Sequence, residues 1–265
     1  MPTLHGFTSS VETAAVFSGE PDRTPADVNF ALFGFPVRVH PMFWLFMLLL
    51  GPMEATLAPM LAWVLAAFLS VLVHELGHAF AMRYYGYTPY IVLYMFGGAA
   101  YYGPSYTNRG LRPVPQIVIS LAGPATQIAM AYVLVAGLLA AGHGDKVIWP
   151  LPWPLKFVPI IGGFDVPYVE LALNFYCVFS VLWGIFNLLP VFPLDGGQIA
   201  RAGLTMWNPY NGLRQSLVLS MLVAVGVAVY AAVQWHSIWI TVFLGVMAFE
   251  NYMLLQALGS RGRWH

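Results

Sequence analysis

Charge is scarce in this sequence: 8% of its 265 residues are Asp, Glu, Lys or Arg, while 59% are hydrophobic. A soluble domain carries about 25% charged residues, so too little charge is present to cover a water-exposed surface. That excludes an ordinary soluble globular protein and leaves an integral membrane protein, in keeping with a mean hydropathy of +0.71. A basic excess is absent too. The formal net charge is zero, which gives no electrostatic footprint for nucleic acid, and no nucleic-acid partner is expected. Cysteine is limited to Cys177, which rules out an intrachain disulfide. The first 35 residues lack a basic stretch followed by an apolar one, so no cleavable signal peptide is read there. They are rich in Thr, Ser, Pro, Asp and Glu, and residues 1–35 read as a polar, disordered tail. No internal repeat and no low-complexity tract is found.

Long apolar runs are abundant. A helix needs about 20 such residues to cross the hydrocarbon core. Helices are expected near 39–53, 56–84, 113–141, 166–190, 215–235 and 237–258. The first is short, and its run "HPMFWLFMLLLGPM" can lie partly outside the core or re-enter. The expected fold is an all-α polytopic membrane protein with about six transmembrane helices and a small membrane-associated β-hairpin. Six spans put both termini on one side. With the N-terminus in the cytoplasm, all nine arginines fall inside and Lys146 and Lys156 fall outside, as the positive-inside bias requires. Trp149, Trp153, Trp235 and Trp239 then sit at the outer boundary, where an aromatic belt belongs. The Pro- and Gly-rich stretch 142–165 reads as an external loop.

Between the second and third spans lies "TPYIVLYMFGGAAYYGPSY", residues 88–106, rich in β-branched and aromatic residues. It reads as two short strands around a turn at Gly97-Gly98, dipping into the membrane. Unpaired backbone is costly in lipid, so an open strand edge there must be covered or used.

The chemistry concentrates in "HELGH". His74 and His78 are four residues apart, which places both imidazoles on one helix face. A zinc ion can take one nitrogen from each, with Glu75 beside it as general base rather than ligand. Ionisable groups inside a span cost about 2.5–3.5 kcal/mol each on insertion scales. Three of them within five residues therefore point to a function. Catalytic zinc commonly has three protein ligands. Asp195 is the candidate third ligand, from "NLLPVFPLDGGQ": it is the one acidic residue between Glu170 and Glu250. Pro190 and Pro193 stop the helix before it, Gly196-Gly197 after it permit a tight turn, and the topology sets it at the depth of His74 and His78.

On "HELGH" at 74–78 and "NLLPVFPLDGG" at 187–197, the sequence resembles the site-2 protease family of intramembrane zinc metalloproteases; "SLAGPATQ" at 120–127 is similar to that family's Gly-Pro motif. One departure is Gln127, where the family often has asparagine. The resemblance covers roughly residues 40–258. It implies one zinc ion (Zn2+) per chain on His74, His78 and Asp195, Glu75 as catalytic acid and base, and Asn187 holding the substrate or the tetrahedral intermediate. It implies a metalloprotease domain at 36–258, a short cytoplasmic tail at 259–265, and cleavage of a transmembrane protein or peptide near the cytoplasmic side of the lipid bilayer. One strand of the hairpin, with Gly97, Gly98 and Gly103, is expected to pair with the unwound substrate. A metal transporter would also place His, Glu and Asp in the membrane, but it tends to show inverted repeats or matched broken helices, and neither is found. An inactive relative that binds without cutting would have no use for Glu75. Glu170, Asn174, Glu250 and Asn251, within expected spans, read as helix–helix hydrogen-bonding groups.

Overall fold

The computed structural model describes residues 20–52, 56–95, 97–102, 112–150 and 155–261. The tail's first 19 residues, Phe96, Gly103, Arg109 and residues 262–265 lie outside the described residues. The chain divides into two compact units, one of residues 21–107 and 122–186, the other of 1–20, 108–121 and 187–265.

The first unit is built on a four-stranded sheet of order β1-β2-β3-β4, from β1 (Val28–Leu32), β2 (Phe35–Val39), β3 (Pro89–Tyr94) and β4 (Gly97–Tyr102). The part of the expected polar tail from Val28 to Phe35 is thus corrected: it forms β1 and the start of β2. Its physical reason is alternation, since Phe35, Val37 and Val39 on β2 bury their side chains. Phe33 and Gly34, both at positive φ, make the two-residue turn that joins these strands. Residues 21–27 are tied down by Arg38, whose guanidinium donates to the Pro21 and Asp22 carbonyls and pairs with Asp27 at 3.1 Å.

The chain leaves β2 through α1 (Pro41–Leu50) and returns through α2 (Leu57–Tyr84) to β3, which pairs with β2 in parallel. His40 caps α1, its Nδ1 accepting from the Met42 N–H at 3.1 Å, and Gly51-Pro52 end it. Ten residues span about 15 Å, half the hydrocarbon core. The expected first span at 39–53 is therefore corrected to a short helix packed on the sheet through Phe43 and Met47. Gly97 and Gly98 do not form the hairpin turn; Met95, at positive φ, lies in it, and the glycines open β4. β4 is the last strand of the sheet, so one of its edges carries no strand partner among the described residues.

Among the described residues, five helices are long and apolar enough to cross a membrane: α2, α3 (Pro113–Ala140), α4 (Pro167–Asn187), α6 (Gly212–Gln234) and α7 (Ile238–Arg261). The protein is a multi-pass membrane protein. α3 and α4 open with proline, whose missing N–H costs nothing in a first turn. Two-residue strands β5 (Val147–Ile148) and β6 (Ile160–Ile161) pair in the connection between them. Glu170 and Asn174 bind that connection rather than another helix: Glu170 Oε2 accepts from the Phe164 N–H at 2.7 Å and Asn174 Oδ1 from the Ile161 N–H at 3.2 Å.

In the second unit, α6 and α7 pack against each other and α5 (Asp195–Trp207) packs on α6. α5 went unread in the sequence, where Gly196-Gly197 suggested only a turn.

Candidate metal centre

Ser70, His74 and His78 recur every fourth residue along α2 and form one buried stripe in a mostly apolar helix. The imidazoles of His74 and His78 face each other edge to plane, with Nε2 to Nε2 at 3.0 Å. Two nitrogens bound to one tetrahedral zinc at 2.0–2.1 Å stand about 3.3 Å apart. The pair therefore needs to open by only a few tenths of an ångström to share an ion.

α3 lies against α2 at this point because glycine allows it. A methyl group on Gly77 would come within 2.5 Å of the Ala122 carbonyl oxygen and 2.8 Å of Thr126 Oγ1. A methyl group on Gly123 would fall on the His78 ring. Small residues permit such close helix approach in membranes. The glycine of HELGH thus serves packing, while its neighbours carry the chemistry. One turn beyond Gly123, Gln127 meets His74: Gln127 Oε1 stands 2.8 Å from His74 Nδ1, and Gln127 Nε2 donates to Ser70 Oγ at 2.8 Å.

Glu75 is 3% exposed. β4 runs over it so closely that a methyl group on Gly98 would come 2.7 Å from Glu75 Cγ and 2.6 Å from Leu93 Cδ2.

In the other unit, Asn187 is the last residue of α4 and Asp195 the first of α5. The segment between them is held by its backbone. The Phe192 N–H donates to Ser220 Oγ at 3.0 Å, and the Phe192 carbonyl accepts from Asn251 Nδ2 at 2.6 Å. Asn251 also donates to the Met247 carbonyl at 2.8 Å. Its bonds thus run to a loop and to its own helix, not to a side chain of a neighbouring helix. Gly196 and Gly197 are packed on this segment: a side chain at Gly196 would overlap the Leu188 carbonyl, and one at Gly197 would reach the Val191 carbonyl carbon at 2.5 Å. The helix start favours a negatively charged Asp195.

Among the described residues, His74, His78 and Asp195 make the group of three side chains that could hold a metal ion, each offering one ligand atom. Two imidazole nitrogens and one carboxylate oxygen suit a catalytic zinc with a coordination position left over. Sequence reading missed Ser70 and Ser180 altogether and left Gln127 without a role. The four-residue spacing from Ser70 through His74 to His78 was the available signal.

The chain is 30% identical over 204 residues to "Zinc metalloprotease MJ0392" of Methanocaldococcus jannaschii, covering 73% of this chain and 52% of that protein. It is 27% identical over 226 residues to "Stage IV sporulation protein FB" of Bacillus subtilis, covering 82% of this chain and 66% of that one. The chain spans about half the length of several curated relatives it matches, from 50% to 59%. Its fold is similar to a solved structure, "Site-2 Protease from Methanocaldococcus jannaschii", with a TM-score of 0.51 and 24% identity over 86% of this chain and 95% of that one. The model of peptidase family M50 matches residues 62–233, which include HELGH, Gln127 and Asp195. By that match, over more than half of its length, the chain belongs to peptidase family M50.

Proposed function

We propose that this protein is an intramembrane zinc metalloprotease that hydrolyses peptide bonds of transmembrane substrates near the cytoplasmic side of the bilayer. The observation that carries this reading is the buried pair His74–His78, Nε2 facing Nε2 at 3.0 Å, beside a buried Glu75 on the same helix. His74, His78 and Asp195 hold the metal. Bound zinc supplies Lewis acidity for an attacking water and a substrate carbonyl. Glu75 accepts the proton of that water and returns it to the leaving amine. Asn187 donates a hydrogen bond to the substrate carbonyl as negative charge develops there.

A membrane helix hides its carbonyls in its own hydrogen bonds, so the substrate must unwind before it can react. The edge of β4 that carries no strand partner among the described residues supports pairing with the unwound segment by strand addition, and Gly98 keeps that strand close against Glu75. For orientation, β2 and β3 are parallel neighbours, so the chain before α1 and the end of α2 share one side of the membrane. The arginine bias assigns that side, and both termini, to the cytoplasm.

The test is reconstitution with a panel of transmembrane peptides in liposomes, alongside metal analysis. The reading expects about one zinc per chain and cleavage that a chelator stops and zinc restores. Metal flux without cleavage would overturn it. The Glu75→Gln form, which should bind substrate without cutting it, then serves to capture the natural substrate.

A further inference from the structure

A chain of buried polar side chains leads away from His74 on the side opposite its Nε2. Gln127 Oε1 stands 2.8 Å from His74 Nδ1. Gln127 Nε2 donates to Ser70 Oγ at 2.8 Å. Ser70 Oγ and Ser180 Oγ are 2.7 Å apart. The chain crosses three helices, with Ser70 and His74 on α2, Gln127 on α3 and Ser180 on α4. Gln127, Ser70 and Ser180 are fully buried.

An amide oxygen can only accept a hydrogen bond, so contact with Gln127 Oε1 requires the proton of His74 on Nδ1. That leaves the lone pair on Nε2, the atom that faces His78. The opposite amide orientation would aim an N–H at Nδ1 and put the proton of a neutral His74 on Nε2, where it would block a metal. In the amide orientation of the structure the Ser70 hydroxyl accepts from Gln127 Nε2, and Ser180 Oγ lies 2.7 Å from it on the other side.

We propose that Gln127, held against α2 by its hydrogen bond to Ser70, is a positioning residue that fixes His74 as the Nδ1–H tautomer. The inference rests on the metal-site reading above and adds the residues that prepare one ligand before metal arrives. Outer hydrogen bonds of this kind orient a ligating imidazole and raise its basicity, and their loss typically weakens metal binding about 10- to 100-fold.

Two measurements test it. In the metal-free protein labelled with 15N-histidine, and with His74 assigned by its own substitution, the His74 signal should be that of the Nδ1–H tautomer. An Nε2–H tautomer overturns the proposal whatever the variants do. Zinc affinity is then measured by competition with a chelator for wild type, Gln127→Leu, Gln127→Glu and Ser70→Ala in lipid nanodiscs. Gln127→Leu should bind zinc about 10- to 100-fold more weakly. Gln127→Glu, which keeps an acceptor toward Nδ1, should recover most of that loss. Ser70→Ala should weaken binding in the wild-type background and add little to Gln127→Leu. Equal affinity of wild type and Gln127→Leu overturns the role of Gln127 alone. A wild-type protein that holds no zinc overturns the metal-site reading itself. Should Gln127→Leu fail to fold, the tautomer measurement and Ser70→Ala still decide.

Discussion

Gly98 on β4 and Glu75 on α2 are so close that a single methyl group on the glycine would come 2.7 Å from the glutamate's Cγ. Strand and carboxylate therefore share one narrow space.

Gly98→Val is expected to force β4 away from α2 or to turn Glu75 out of place. Overpacking of this kind costs about 1–3 kcal/mol in stability. Cleavage of a transmembrane peptide should fall by about an order of magnitude or more, while zinc content stays near one per chain. Parental cleavage by a folded Gly98→Val protein would show that the close approach is dispensable.

Glu75→Gln and His78→Ala should separate proton transfer from metal binding. On the proposed reading the first removes a general base, typically worth about 10²–10⁴ in rate, and should leave zinc in place. The second removes a ligand and should release the metal. Zinc analysis of both purified proteins, next to single-turnover cleavage, is the check. Loss of zinc from Glu75→Gln would make Glu75 a ligand instead.

Asn251 is fully buried and its Nδ2 donates to the Phe192 carbonyl, three residues before Asp195. Asn251→Leu leaves that carbonyl without its donor, at about 1–3 kcal/mol. The expected outcome is a lower melting temperature together with weaker zinc retention, since the segment that presents Asp195 is loosened. A drop in stability with unchanged zinc affinity would confine Asn251 to the fold.

Asp27 gives a pH-dependent contribution outside the spans. Hydrogen bonds from Thr24, and then the Arg38 guanidinium, hold its carboxyl down to about 2. An unfolded aspartate titrates near 3.9. A depressed carboxylate contributes stability that is complete above the unfolded value and is lost as pH falls toward the folded one. The melting temperatures of wild type and Asp27→Asn should therefore differ most above about pH 4 and converge toward pH 2. A constant difference across that range would rule out this linkage.

The five long spans and the HELGH helix were legible because their signals are local: length, apolarity and a spacing of four. α1 was over-read, since its apolar run was counted without noting that His40-Pro41 and Gly51-Pro52 confine it to ten residues. β1 and β2 were hidden in polar surroundings, and half of their meaning lies in pairing with β3, about 50 positions away. Gly196 and Gly197 were read as turn formers on general habit, whereas the reason for them is contact with the Leu188 and Val191 carbonyl groups. Gln127 was seen as a departure from a pattern. Its role depends on which helix lies across from it, and no window of the sequence carries that.

The parallel pairing of β2 with β3 has a further consequence. β2, inside the sheet, precedes two helices in the chain and pairs with β3, which follows them. A protein shortened to begin at Pro41 would lose half of the sheet rather than a dangling leader. β3 would then expose, on the side away from β4, the edge that β2 covers.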